Sequence, residues 1–339
     1  MTTAAPPAPA LPRARGELSA CVLAALRDPE LPVPDLREPI ATAEPYGDDL
    51  QLALYVLYEL HYRGFVDVPD DREWDVTLLA LRGLMEERFL AALRQDVPGG
   101  RDVEEVFGEL LTEPADTSGS VSHHLQRGGD LGELREYAAV RSLYHLKEAD
   151  PHAWVLPRLH GRAKAAMAAV EYDEFGAGRA DRVHARLFAD LMADLALDPA
   201  YGHYLDRAPA QALAVVNLMS LFGLHRSLRG ALVGHFAWVE VTSSPGSRRL
   251  AEAMRRAGAG PAAQHFYDEH VEADAVHEQV VRHEVIAGLL ADEPALAPDV
   301  AFGADATTFV EDRLGAHLLS AWRSGRSALR PEPDEGGAR

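Results

Sequence analysis

The sequence contains a single cysteine, Cys21, among 339 residues. One thiol makes no intrachain disulfide and no cysteine-based zinc site. Cys21 lies in the apolar run "LSACVLAAL" and reads as a buried small hydrophobe rather than a nucleophile. Positive charge is also scarce: 33 Lys and Arg stand against 53 Asp and Glu, a formal net charge of −20. Gripping nucleic-acid phosphates or an anionic membrane surface needs the opposite sign, so neither is expected as a partner. No run of ~18 apolar residues is present to span a bilayer. The opening "MTTAAPPAPALPRARG" has no continuous apolar stretch of the secretory type, so the expected location is cytoplasmic. Strand-like alternation is rare, which leaves an all-α class.

What the sequence does have is apolar residues at helical spacing. Apolar residues make up 47% of the chain, enough for a sizeable core. Residues 1–16 are rich in Pro and Ala, and 330–339 read "RPEPDEGGAR"; both are expected to be disordered tails. "DDLQLALYVLYELHYRG" (48–64) and "EWDVTLLALRGLMEERFLAALRQDV" (73–97) are amphipathic helices. The polar stretch at 113–130 reads as a connection between an N-terminal helical segment, 17–125, and a main bundle, 126–329. Further helices are expected near 131–148, 152–172, 179–195, 208–222, 226–241, 261–290 and 306–323, with no internal repeat. About seven long helices with polar links suit a bundle with a site between helices.

The stretch "FYDEHVEADAVHEQV" (266–280) carries the chemistry. His270, Asp274 and His277 fall within roughly 60° of arc on one helix face. A solvated face can carry such a triplet, as Glu269, Glu272 and Glu278 do. However, carboxylate and imidazole at i, i+3 can also hold an ion within a bundle. Other segments supply further acids. "GALVGHFAWVE" (230–240) is nearly apolar and ends in Glu240, which is costly to bury unless paired or bound to metal; the alternative is a helix end meeting solvent before "TSSPG". "VEYDEFGAGRADRVHARLFADLM" (170–192) offers Glu174 and His184 across a glycine bend, with Asp181 as a competing ligand or an acid in an exposed first turn. "GAGR" lacks the Lys-Ser/Thr of a phosphate loop. Glu148, in "SLYHLKEADPH", is either a further candidate or an exposed acid near a helix end. His152, His160 and His203 read as surface or packing histidines, and His225 as lying near a helix turn. His235 reads as a satisfied core or supporting histidine. Tyr172 and Tyr267 read as core, or as hydrogen-bond partners of a ligand.

Together, "LKEADPHAWVLPRL", "DEFGAGR…VHARLFADLM", "NLMSLFGLHRSLRGALVGHFAWVE" and "FYDEHVEADAVHE" resemble the haem-oxygenase-like diiron oxidases, the iron-containing redox enzymes, from about Tyr137 to Leu329. The resemblance implies a haem-oxygenase-like bundle with an added N-terminal helical segment that can build a homodimer. It implies metal ligands at Glu148, Glu174, His184, Glu240, His270, Asp274 and His277, holding two Fe ions that react with O2 through a peroxo-diferric intermediate. Four carboxylates facing one interior repel each other, and two ferrous ions offset them. The mixed oxygen and nitrogen set suits Fe or Mn. With the third histidine present as His277, the implied reaction is N-oxygenation of a small-molecule amine in a biosynthetic pathway, fed by an external electron donor. The alternatives are oxidative C–C cleavage or desaturation, an iron-binding or ferroxidase-like protein without organic product, and a metal-free bundle.

Overall fold

The computed structural model describes residues 8–332. The outer parts of the two expected tails, 1–7 and 333–339, lie outside them. The first part of the chain forms α1 (Glu17–Arg27), α2 (Arg37–Thr42), α3 (Asp48–Glu59), α4 (Val76–Asp96), α5 (Val103–Leu110) and α6 (Val121–Arg127). It is followed by α7 (Leu131–His145), α8 (Asp150–Ala153), α9 (Gly161–Glu174), α10 (His184–Asp194), α11 (Ala210–Leu224), α12 (Arg229–Ala257), α13 (Pro261–Val280), α14 (Ala287–Asp292) and α15 (Ala297–Arg323). No strand occurs among the described residues, so the protein is all-α. None of their helices is long and apolar enough to cross a membrane.

Local signals set many of the helix starts. Asp75 caps α4 by accepting from the amides of Thr77 and Leu78 at 2.9 and 3.0 Å. Asp130 and Glu133 form a reciprocal capping box at the start of α7. Gly258, at φ 75°, takes the left-handed conformation that ends α12. Helix α11 is apolar nearly all round and buried over most of its length, so it is the central helix of the bundle.

Helix α12 runs sixteen residues past the expected stop at 241, straight through Pro245. A proline removes one amide donor and crowds the carbonyl four residues earlier, which normally ends a helix. Here α13 and α15 flank α12, and Ser244 Oγ donates to Val271 O on α13 at 3.2 Å. Tertiary packing therefore overrides the local break. The α12–α15 approach is close: a Cβ on Gly234 would overlap the Val300 carbonyl, and one on Gly303 the Ala231 carbonyl. Helix α13 ends in a π-helical turn, Val281–Ile286, that feeds α14.

The N-terminal segment shares one apolar core with the rest: Leu52 and Phe89 belong to the same cluster as Leu213, Phe236 and Leu314. Asn217 on α11 reaches α3, donating to Gln51 O and Gln51 Oε1, both at 2.8 Å. The stretch 113–130, expected as a connection, contains α6, and Arg256 donates to Leu125 O there at 2.7 Å. Residues 8–16, expected to be disordered, are held in place. Pro9 O accepts from Val66 N at 2.8 Å, and the buried Arg15 guanidinium bonds Asp48 at 3.0 Å and Leu205 O at 2.8 Å. Their Pro and Ala content signals little tertiary affinity, but the Arg15 side chain supplies it. At the other end, Arg330 pairs with Asp48.

Candidate metal centre

Four segments deliver seven buried side chains to one interior. Glu148 follows α7 on a turn in which Lys147 N donates to Tyr144 O at 2.8 Å and Ala149 sits at φ 73°. Glu174 is the last residue of α9, and His184 the first of α10. Between them the chain reverses through Gly176 and Gly178, both at positive φ, and a Cβ on Gly176 would lie 2.7 Å from Val183 N. The glycines thus allow a reversal tight enough to set His184 Nδ1 2.7 Å from Glu174 Oε2. Glu240 lies in mid-α12, and His270, Asp274 and His277 line one face of α13.

The side chains gather into two groups. Glu148, Glu174, His184 and His270 each offer an atom within 4.8 Å of the others, and so do Glu174, Glu240 and His277. Glu174 belongs to both. His277 Nδ1 lies 3.3 Å from Glu240 Oε2, 3.6 Å from Glu174 Oε1 and 3.7 Å from Asp274 Oδ1. Asp274 therefore borders the second group. Two alternatives open at the level of sequence close here. Glu240 does not lie where a helix meets solvent, and Glu148 is not an exposed helix-end acid; both are buried.

The interior lacks counter-charge. Glu148 Oε2, Asp274 Oδ2 and His270 Nε2 are buried without a hydrogen-bond partner, and His184 Nδ1 and His277 Nδ1 have only the carboxylates of Glu174 and Glu240 close by, at 2.7 and 3.3 Å. Orphaned buried polar atoms are costly, and so many converging lone pairs fit a cation. Protons must otherwise do that work. Burial, with Asp274 and Glu174 nearby, pushes the Glu240 carboxyl up to about 8. Burial opposes charge on His270, but its contact with Glu148 outweighs this and raises it to about 10. Burial likewise opposes charge on His277, and Glu240 raises it to about 9. Glu148 is held well below the carboxylate range: burial opposes its charge, but His145 and His270 prevail.

Outer contacts orient the rings. His270 Nδ1 donates to Phe266 O at 2.7 Å, which leaves Nε2 facing the group. His277 Nε2 meets Asp173 Oδ2 at 3.3 Å, which leaves Nδ1 inward. Imidazole backed by a carbonyl or carboxylate is the usual arrangement behind a metal-binding nitrogen. The donor set of carboxylate oxygen and imidazole nitrogen, without thiolate, suits Fe or Mn.

Sequence reasoning missed several supporting residues. Asp173 adjoins Glu174, and adjacency along a helix hides that the two side chains serve opposite sides of His277. His145 Nδ1 lies 2.7 Å from Glu148 Oε1, and its i, i+3 spacing was a readable signal. Glu171, one turn before Glu174, is buried with both oxygens unpartnered. Burial, then Glu174 and Glu240, push it up to about 9, so it sits there as a neutral acid. The remaining candidates fall elsewhere. Asp181 is exposed and paired with Arg179 at 3.1 Å, outside both groups. His235 is buried, bonded to Thr307 Oγ1 at 2.8 Å and to His152 at 3.1 Å. His160 and His203 lie toward the surface, and His225 meets Glu86 at 3.0 Å. Tyr172 is exposed, its hydroxyl donating to Ala177 O at 2.8 Å. Tyr267 is buried and lines a cavity of about 360 Å³ beside the acids, together with Met219, Phe236 and Phe266.

A helical bundle with converging buried acids and imidazoles is compatible with a metal site. The chain belongs to the iron-containing redox enzyme family, whose match covers residues 135–312. It is accordingly an oxidoreductase of haem-oxygenase-like, all-α fold. All seven side chains lie inside the matched span, and α1 to α6 lie before it. A comparison with curated proteins finds no match.

Proposed function

We propose that this protein is a non-haem diiron oxygenase that uses O2 to oxidise a small organic substrate, with N-oxygenation of an amine as the reaction. The observation that carries this reading is the pair of buried ligand groups sharing Glu174, within a family of iron-containing redox enzymes. Glu148, Glu174, His184 and His270 form one iron seat. Glu174, Glu240 and His277, with Asp274 beside them, would form the other, and Glu174 belongs to both groups. Four carboxylates balance the four positive charges of two ferrous ions, so the filled interior is near neutral. An iron pair held there would supply electrons for the reduction of O2.

The protein's own residues do the rest. The Phe266 carbonyl and Asp173 hold His270 and His277 in the tautomers that present a lone pair inward. Met219, Phe236 and Phe266 give the adjoining cavity an apolar side, and Arg141, Ser243 and Glu311 line its polar part. Glu171, buried one turn before Glu174, lies close to the acids. An amine entering this cavity meets the reacting centre with its nitrogen lone pair free only when neutral. The product carries one oxygen atom of O2 on nitrogen. The other leaves as water after uptake of two protons and two electrons, so repeated turnover needs an external electron donor. The cavity beside the acids favours an organic substrate over a ferroxidase-like role without one. Oxidative C–C cleavage and desaturation would use the same seats.

The test is anaerobic loading with Fe(II), metal analysis, and reaction with ¹⁸O2 in the presence of candidate amines. About two irons per chain and a product gaining one ¹⁸O on nitrogen are expected. Uptake of O2 with cleaved or unsaturated product and no oxygen on nitrogen would redirect the chemistry. Failure to bind iron would remove the reading altogether.

A further inference from the structure

The turn that carries Glu148 is not held by its own helix alone. Its neighbour Lys147 is almost fully buried, at 1% exposure, and points to α3, where Nζ meets Glu59 Oε2 at 2.8 Å. Glu59 is itself fully buried, at 0% exposure. Its other oxygen accepts from Tyr201 Oη at 2.7 Å. The Lys147 ammonium also lies 4.1 Å from the centroid of the Tyr62 ring, a cation–π contact in a dry setting. A second tether comes from the same place: Arg63 Nη2 donates to Leu146 O at 2.7 Å. Residues 59–63 therefore grip both positions before Glu148. The position after it, Ala149, is held at φ 73°, a conformation that persists only where surroundings over-determine it.

Lys147 and Glu148 are adjacent, and their side chains go to opposite destinations. One enters the α3 ion pair, the other the first group of candidate ligands. Anchoring the lysine thereby sets the direction of the glutamate. The second group, Glu174, Glu240 and His277, comes from α9, α12 and α13; α12 packs on α6, but among the described residues none of these three helices is hydrogen-bonded to residues 59–63.

We propose that the N-terminal segment positions Glu148 through the buried Lys147–Glu59 pair and the Arg63–Leu146 bond, and so governs one metal seat selectively. Glu59 and Lys147 are positioning residues, and the segment outside the family match is a working part of the metal centre. This inference rests on the two-seat reading above.

Removing one partner alone would leave a buried uncompensated charge. The test is therefore the paired variant Glu59→Gln with Lys147→Met in the full chain. Gln keeps an acceptor for Tyr201, and Met keeps the apolar contact with the tyrosine rings. Co(II) is titrated into wild type and variant under argon while its ligand-field absorption is recorded, with helix content followed by circular dichroism. Wild type is expected to fill two spectroscopically distinct seats. The variant is expected to keep one band set and affinity unchanged and to lose roughly tenfold or more at the other. Arg63→Met, which leaves the ion pair intact, is expected to weaken that same seat in a smaller measure, and serves alone if the paired variant does not fold. Unchanged binding at both seats, or equal weakening of both, overturns the proposal while leaving two seats standing. A wild type that fills fewer than two seats overturns the two-seat reading and this inference with it.

Discussion

Nε2 of His277 on α13 lies 3.3 Å from Oδ2 of Asp173 on α9, and the same ring turns Nδ1 toward Glu240. The contact joins two helices and decides which nitrogen faces the interior. Asp173 is half-exposed, so it adds little stability by itself. Its effect is orientation. Asp173→Ala is expected to weaken metal binding at the Glu240–His277 seat roughly tenfold with helix content unchanged. Metal titration checks this, and ¹⁵N shifts of His277 report the freed tautomer. An unaltered affinity would assign the contact to packing alone.

Glu174 is common to both ligand groups, whereas Glu240 belongs to one. Glu174→Ala is therefore expected to depress uptake at both seats, and Glu240→Ala at one only. Fe(II) stoichiometry by metal analysis separates the cases. Equal losses from the two substitutions would mean that Glu174 does not span the seats.

Acid should destabilise the fold through His235. Burial lowers this histidine from 6.5 to about 4, so it is neutral in the fold and more readily protonated when unfolded. The unfolded chain then binds more protons between those values. The stability His235 contributes is complete above about pH 6.5 and declines as pH falls toward 4, by up to about 3 kcal/mol. Urea denaturation with a chelator present, compared between wild type and His235→Gln, reads the slope. A wild-type slope no steeper than that of the variant would place the titration on another group.

Ala149→Gly removes a side chain from a residue at φ 73°. The relief of backbone strain exceeds the entropy glycine loses on folding, so stability should rise by about 1 kcal/mol. Thermal melting checks the sign. A lower melting temperature would show that the Ala149 methyl, buried as it is, contributes more by packing than it costs in strain.

Much of the candidate site was readable along the chain because donor type and spacing are local properties. His270, Asp274 and His277 share one face by helical geometry alone, and the structure buries that face. The glycines between Glu174 and His184 announced a bend, and the bend brings the two within 2.7 Å. Pro245 misled, because its local cost is plain in the sequence while the packing of α12 between α13 and α15 is not. The Lys147–Glu59 pair was hidden for a related reason. Glu59 and Lys147 stand 88 positions apart, and no short-range pattern announces their meeting.

The sequence by itself determined the all-α class, the positions of most helices, and the residue types able to hold iron. These follow from periodicity, capping and donor chemistry, which act over a few residues. Only the tertiary structure decided that Glu148 and Glu240 face inward rather than solvent, that Glu174 stands in both groups, and that α3 reaches the turn beside Glu148. Burial and counter-charge depend on what packs against a side chain, and in this bundle the partners come from helices remote in sequence.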